Sequence, residues 1–226
     1  MNKPAKALVL TSALLCATLL GAPARAQDTN AWATGGLQKV TIPGLDLAYV
    51  KPGATLKQYT KVAMKPVSVS FAKNWAEDVT AGTMARVEPS DMQAIRTKLA
   101  SMLEMAVYTE LKAGGYSLVS AVGEDVLYVE MDIVNLYISA PQLNNGMNLP
   151  NTYALTAGQA QLIVQLSDTV TGDTIARVVD NYHGMETGQQ MMITAAVNEV
   201  EARNACTQWA KRLRMALDKS KGINTK

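Results

Sequence analysis

Val126-Leu127-Tyr128-Val129-Glu130-Met131-Asp132-Ile133 decides the fold. Leu127, Val129, Met131 and Ile133 alternate with Tyr128, Glu130 and Asp132, the period of two that buries one set of side chains and leaves the other in water. The strand continues to Ile138. A sheet with one dry face needs an apolar partner layer, and the flanking sequence supplies it.

Upstream, Met92, Ile95, Leu99, Met102, Leu103 and Ala106 recur three or four apart, which predicts an amphipathic helix. Ser90 with Gln93 reads as its capping box, and Gly114-Gly115 as its stop. Downstream, a second helix over 189–218 carries Ala202, Cys206, Trp209, Leu213 and Ala216 on one stripe.

Further strands are expected at 61–71, 116–119, 160–166 and 174–182. In the first, Val62 and Met64 share one face and Val67, Val69 and Phe71 the next, so the phase slips at Pro66. Proline cannot donate to a ladder, which implies a bulge or an edge there. Thr171-Gly172 inside 168–173 predicts a hairpin between the last two strands.

The expected architecture is α+β, a two-layer sandwich. A mixed, mostly antiparallel sheet of about four to five strands carries two long helices on one face. Residues 27–57, rich in Gly, Pro and Thr, read as an extended arm, 58–220 as a single domain and 221–226 as a tail.

Residues 1–26 read as a signal peptide: basic Lys3 and Lys6, an apolar run over 7–20, and Ala24-Arg25-Ala26 as the small-x-small cleavage site. Gly21, Pro23 and Arg25 end the run before the roughly 18 apolar residues that a membrane span needs. The mature chain is therefore expected to start at Gln27 in the periplasm. Cys16 does not read as a lipoprotein cysteine, because bulky Leu15 precedes it and apolar sequence follows.

Cleavage removes three of the 21 basic residues and leaves 18 against 19 acidic, a formal charge of −1. A nucleic-acid binder usually carries a clear basic excess. Only Cys206 remains after cleavage, which rules out an intramolecular disulfide, so stability must come from a packed core.

Residues able to carry chemistry are few. His183 is the single histidine, set in Tyr182-His183-Gly184, and it reads as an exposed or turn-forming residue. Any Ser-His-Asp or Cys-His relay would have to use it, and no Gly-x-Ser-x-Gly elbow accompanies it. Cys206 lies on the apolar stripe of the second helix and reads as a core thiol.

Glu130, Asp132 and Asp125 read as a solvated acidic face rather than a metal cluster, since no calcium-loop spacing supports them. His183, Met185, Met191 and Met192 offer the soft ligands that copper(I) prefers. Met191-Met192 are instead expected to open the second helix, and the other methionines to fill the core. The run Lys211, Arg212, Arg214, Lys219 and Lys221 suits a helix C-terminus, with weak contact to an anionic membrane surface as its other use. No catalytic residue, cofactor or metal is expected.

Pro52-Gly53-Ala54, Tyr59, Lys61-Val62, Pro66-Val67, Phe71 and Trp75 resemble the opening of a bacterial envelope family known as domain-of-unknown-function family 3313. The likeness continues in Leu111, Ala113-Gly114-Gly115-Tyr116, Asp125-Val126-Leu127, Leu136-Tyr137 and Ala140-Pro141. It resumes at Gly158, Asp168, Thr171-Gly172, Ala176-Arg177 and Asp180, and ends in Trp209-Ala210, Leu213-Arg214 and Leu217-Asp218. The resemblance implies a periplasmic, non-enzymatic protein and supplies no catalytic residues. Many members look like lipoproteins, and this chain departs from them in its cysteine.

Two roles fit these readings. The first is a periplasmic binding or accessory protein acting through a surface, the wet sheet face or the 141–150 loop, on an envelope protein partner. The alternative is a carrier of a small apolar or lipid ligand between sheet and helices. The interior discriminates: a cavity of about 300 Å³ or more points to a ligand, and a closed core to a partner surface.

Overall fold

The computed structural model describes residues 29–143, 152–184 and 189–222. The signal read from residues 1–26, Met185 and most of the 141–150 loop lie outside the described residues. In chain order, a 3-10 segment (Thr29–Gly36) precedes β1 (Gln38–Val40), β2 (Leu47–Val50), β3 (Lys61–Met64) and β4 (Ser68–Phe71). Then come α1 (Trp75–Thr80), α2 (Pro89–Ala113), β5 (Ser117–Leu118), β6 (Val126–Ile138) and β7 (Thr152–Ala154). The chain closes with β8 (Gly158–Asp168), β9 (Thr174–His183), β10 (Met191–Ile193) and α3 (Ala195–Ser220).

The alternation read at the start of β6 places it inside the sheet. One edge of β6 pairs antiparallel with β8, from Leu127 opposite Asp168 to Ile138 opposite Gly158. Its other edge pairs parallel with β3 and then β4. The helix α2, between β4 and β6 in sequence, belongs to the long crossover that parallel pairing requires. The full order is β1-β2-β9-β8-β6-β3-β5 with β4 on β6, a mixed sheet of eight strands.

The expected four to five strands were too few. The 61–71 run divides at Pro66 into β3 and β4, because proline has no N–H for the ladder. Residues 27–57, read as an arm, contribute β1 and β2, and β2 pairs with β9. Strands of three and four residues are too short to display a period. A separate pair, β7 with β10, forms a two-stranded ribbon.

Both long helices form as expected, with shifted starts. Glu88, not Ser90, caps α2: its backbone N–H donates to Asp91 Oδ2 at 3.0 Å, and a reciprocal bond completes the capping box. Pro89 explains the shift, since it sits best at the first helical position. The helix α3 begins at Ala195, with the Thr194 hydroxyl accepting from the Val197 N–H at 3.3 Å. Met191 and Met192 therefore lie in β10 and do not open the helix.

The two helices pack on the same sheet face. Leu103, Val107 and Leu111 of α2 and Cys206, Trp209 and Leu217 of α3 join Leu127, Val129, Met131 and Ile133 in one buried cluster. On the opposite face Glu130 pairs with Lys65 at 3.3 Å and accepts from Gln165 at 3.2 Å. Arg177 extends this row, donating to Gln165 at 2.9 Å and to Thr34 at 2.6 Å. The N-terminal segment is thereby tied to the wet face.

Three buried or half-buried carboxylates fasten the layers. Tyr59 donates to Asp168 at 2.7 Å, while the other oxygen of Asp168 accepts from the N–H groups of Val170 and Thr171 at 2.9 and 2.8 Å. Those backbone donors, with Tyr59, hold its carboxyl below the ordinary range. Asp218 takes Tyr116 at 2.9 Å and Arg214 at 2.7 Å, and Arg214 also reaches Glu110 on α2 at 3.1 Å.

Asp180 on β9 accepts from the Trp209 indole at 2.9 Å and pairs with Arg212. Burial pushes the Asp180 carboxyl upward against the opposing pull of Arg212 and Trp209. A buried charge of this kind is tolerable only with such partners.

Trp209 is 3% exposed, so Trp209→Ala removes a large core side chain and strips Asp180 of a donor. The expected cost is about 3–5 kcal/mol, read by urea unfolding. A melting temperature within about a degree of wild type would contradict this packing of α3.

Candidate functional site

The sheet does not stay regular to the end of β6. Its pairing with β8 shifts register between Val134 and Tyr137, and Asn135 adopts φ 54°. Such a bulge re-aims the side chains beyond it. Leu136 consequently takes the buried position after Ile133, and Tyr137 and Ile138 reach a cleft at this end of the sheet. Opposite them, a Cβ on Gly158 would stand 2.3 Å from the Tyr137 carbonyl, so only glycine admits this close approach.

The cleft holds about 250 Å³ between α2, α3 and the ends of β6, β8 and β9. Ile95, Leu99 and Met102, three and four apart, form the α2 wall. Ala202, Ala205 and Trp209 form the α3 wall, and Ala157 and Ala160 lie on the sheet side. The space exists because four alanines stand where larger side chains would fill the layer.

Polar groups enter the cleft from both helices and from the sheet. The Tyr182 hydroxyl donates to Glu201 Oε2 at 3.0 Å. Burial first, and then that bond, push the phenol up to about 12, so it remains a donor at neutral pH. Lys98 of α2 reaches across to Glu199 of α3 at 2.8 Å, and Arg203 adds a second bond at 2.9 Å. Lys98 foremost holds the Glu199 carboxyl below its usual range.

Asn198 completes the set. Its amide nitrogen donates to the Ala140 carbonyl at 2.6 Å, and because a carbonyl only accepts, that contact fixes which way the amide faces. The Oδ1 atom is then buried inside with no partner among the described residues. An acceptor left this way is costly unless something supplies a donor.

The residues singled out in the sequence lie elsewhere. His183 ends β9 opposite Gln159 and is exposed. Cys206 is fully buried, and burial pushes its thiol up to about 12, which keeps it protonated and unreactive. Asp125 pairs with Lys61 at 3.0 Å and Thr60 at 3.1 Å, and Asp132 bonds Ser68. No three His, Cys, Asp or Glu residues converge on a metal-sized site among the described residues.

Of the basic run, Arg212 and Arg214 turn inward to Asp180, Glu110 and Asp218, and Lys221 lies 4.1 Å from the centre of the Tyr116 ring. Lys211 and Lys219 remain exposed. Among the described residues no helix is long and apolar enough to cross a membrane.

The chain belongs to the family described as Protein of unknown function (DUF3313), whose model matches residues 36–213. No curated protein matches it. Among solved structures it is similar to a DUF330-family protein from Xanthomonas campestris, at 12% identity over 76% of this chain and 91% of that one, with a TM-score of 0.39. It is also similar to the PelC dodecamer from Paraburkholderia phytofirmans, at 10% identity over 78% and 97%, with a TM-score of 0.34. A minor lipoprotein from Acinetobacter baumannii matches at 13% identity over 73% and 94%, with a TM-score of 0.30. Likenesses this slight carry no argument about role.

His183→Ala is expected to change stability by no more than about 0.5 kcal/mol, as for ordinary surface substitutions. It should also complement a deletion strain fully. A folded, abundant His183→Ala protein that behaves like the deletion would return His-dependent chemistry to consideration.

Proposed function

We propose that this chain is an exported, non-catalytic binding protein that takes a short apolar group into the cleft between α2, α3 and the sheet. The observation that carries the reading is the cleft itself: an apolar-walled opening into a core that α2 and α3 otherwise fill. Burying an apolar group there returns roughly 25 cal/mol per Å² of surface removed from water. At about 250 Å³ the cleft falls just short of the volume that marks an ordinary small-molecule pocket, so its occupant is short. A whole lipid does not fit.

Binding rather than catalysis is supported by what the walls carry. Tyr182 is a protonated donor committed to Glu201, and Glu199 is committed to Lys98 and Arg203. Periplasmic residence is supported by the signal read in residues 1–26. The partner-surface role was expected on the wet sheet face or the 141–150 loop; the exposed apolar residues that would favour it lie instead on the β7–β10 ribbon, where Tyr153 and Met192 stand opposite each other and are 59% and 46% exposed.

Ala202→Phe separates the two. A phenyl ring at Ala202 occupies the cleft and leaves the ribbon untouched. Titration with n-octanol, followed by Trp209 emission, should give a saturable change in the wild type and at least about tenfold weaker binding in Ala202→Phe. Equal binding by a folded Ala202→Phe protein would sink the cleft reading. Full complementation by a variant that no longer binds would favour the ribbon.

A further inference from the structure

We infer that the cleft takes one unbranched alkyl chain, methyl end first, and leaves the headgroup of that amphiphile outside. This rests on the cleft reading above and names the class of its occupant. Lys98 meets Glu199 and Arg214 meets Glu110, so α2 and α3 run parallel and their walls have corresponding ends.

Exposure along the lining falls in one direction. Ala94 and Ala195, four residues before Lys98 and Glu199 on their helices, are exposed, as are Gln142 and Gln159. Further along, Met102 and Ala202 are half-buried, and Leu136, Ala205 and Trp209 are buried. Pro141 and Ala157 are buried too, within turns tied by Ser139 to the Thr156 carbonyl at 2.8 Å, so they belong to the wall and not the rim. The cleft is open beside Ala94 and Ala195 and shut at Trp209.

The side between the helices is bridged. Lys98 and Glu199 pair across it at 2.8 Å with side chains 60% and 41% exposed, which places the pair on the solvent side of the cleft. A ligand therefore enters lengthwise past the two alanines. From Ala94 to Met102 the α2 wall alone runs about 12 Å. A volume of about 250 Å³ drawn out over that length is a narrow slot, which suits a chain better than a ring.

Polarity sorts the same way. Lys98, Glu199, Gln142 and Gln159 stand at the exposed part of the lining. Inside, Tyr182 and Glu201 are bonded to each other at 3.0 Å, the Trp209 indole N–H is held by Asp180 at 2.9 Å, and the remaining groups are Met102, Ala202 and Ala205. A methyl end loses nothing there, whereas a headgroup would lose its water without gaining partners. At the rim both Lys98 and Arg203 pair with Glu199, so the headgroup is not chosen by charge.

The test is isothermal titration at pH 7, below micellar concentrations, with n-octanol, n-octyl glucoside, cyclooctanol and dioctanoylphosphatidylcholine. Octyl glucoside should bind within about threefold of octanol, because its sugar stays in water. Cyclooctanol should bind at least about tenfold more weakly, since a ring stopped near the mouth leaves about two methylenes unburied. In the octyl glucoside complex, nuclear Overhauser contacts from the terminal methyl should reach the Trp209 indole, and those from the sugar should reach Ala94 or Ala195.

Cyclooctanol equal to octanol overturns the inference while the cleft survives. Octyl glucoside weaker than octanol by about tenfold or more, or sugar contacts at Trp209, overturns it by placing the head inside. Dioctanoylphosphatidylcholine as tight as octyl glucoside overturns it in favour of a two-chain membrane lipid. Failure of octanol itself to bind removes the inference and the cleft reading together.

Discussion

The pairing of β6 on both edges is the constraint on which the molecule depends. One edge accepts β8 antiparallel, and the other accepts β3 and β4 parallel, so four strands are registered by a single run of sequence. Because side chains alternate along it, fixing that register also fixes which face is dry. Leu127, Val129, Met131 and Ile133 are at most 1% exposed, and the apolar stripes of α2 and α3 cover them. The bulge at Asn135 interrupts the register, and Tyr137 and Ile138 beyond it line the cleft.

Carboxylates hold the layers in place around that core. Asp168 ties the turn after β8 to Tyr59, Asp218 ties α3 to Tyr116 and Arg214, and Asp180 ties β9 to Trp209. Many of the residues by which the chain resembles its family fall in these ties: Tyr59, Tyr116, Asp168, Asp180, Trp209, Arg214 and Asp218. The same pattern also reaches the cleft through Leu136, Tyr137, Pro141, Gly158 and Trp209, whereas Asn198, Glu201 and Ala202 fall outside it.

Legibility followed periodicity. The strands with five or more alternating residues, the two stripes of helical spacing and the Thr171-Gly172 hairpin could all be read, because each repeats a physical pattern several times. Short pieces could not. The strands β1 and β2 span three and four residues, and β10 took Met191 and Met192 out of a run that resembled a helix start. At α2 a good capping box at Ser90 lost to Glu88 because Pro89 fixed the first turn. The cleft was legible only as a region, between sheet and helices. Its volume arises from alanines on α3 and at the start of β8 and from a bulge, and none of these leaves a local motif. Met102 does line it, whereas Met131 is simply core.

Methionines placed this way give the most direct measurement. Methyl resonances of 13C-methionine-labelled protein, recorded during titration with n-octanol, report on Met102 in the cleft, Met131 in the core, and Met84, Met105 and Met215 on the surface. A saturable shift centred on Met102, with Met84, Met105 and Met215 still, is the predicted result. Shifts confined to Met84, Met105 or Met215, with Met102 unmoved at saturation, would contradict a binding site in the cleft.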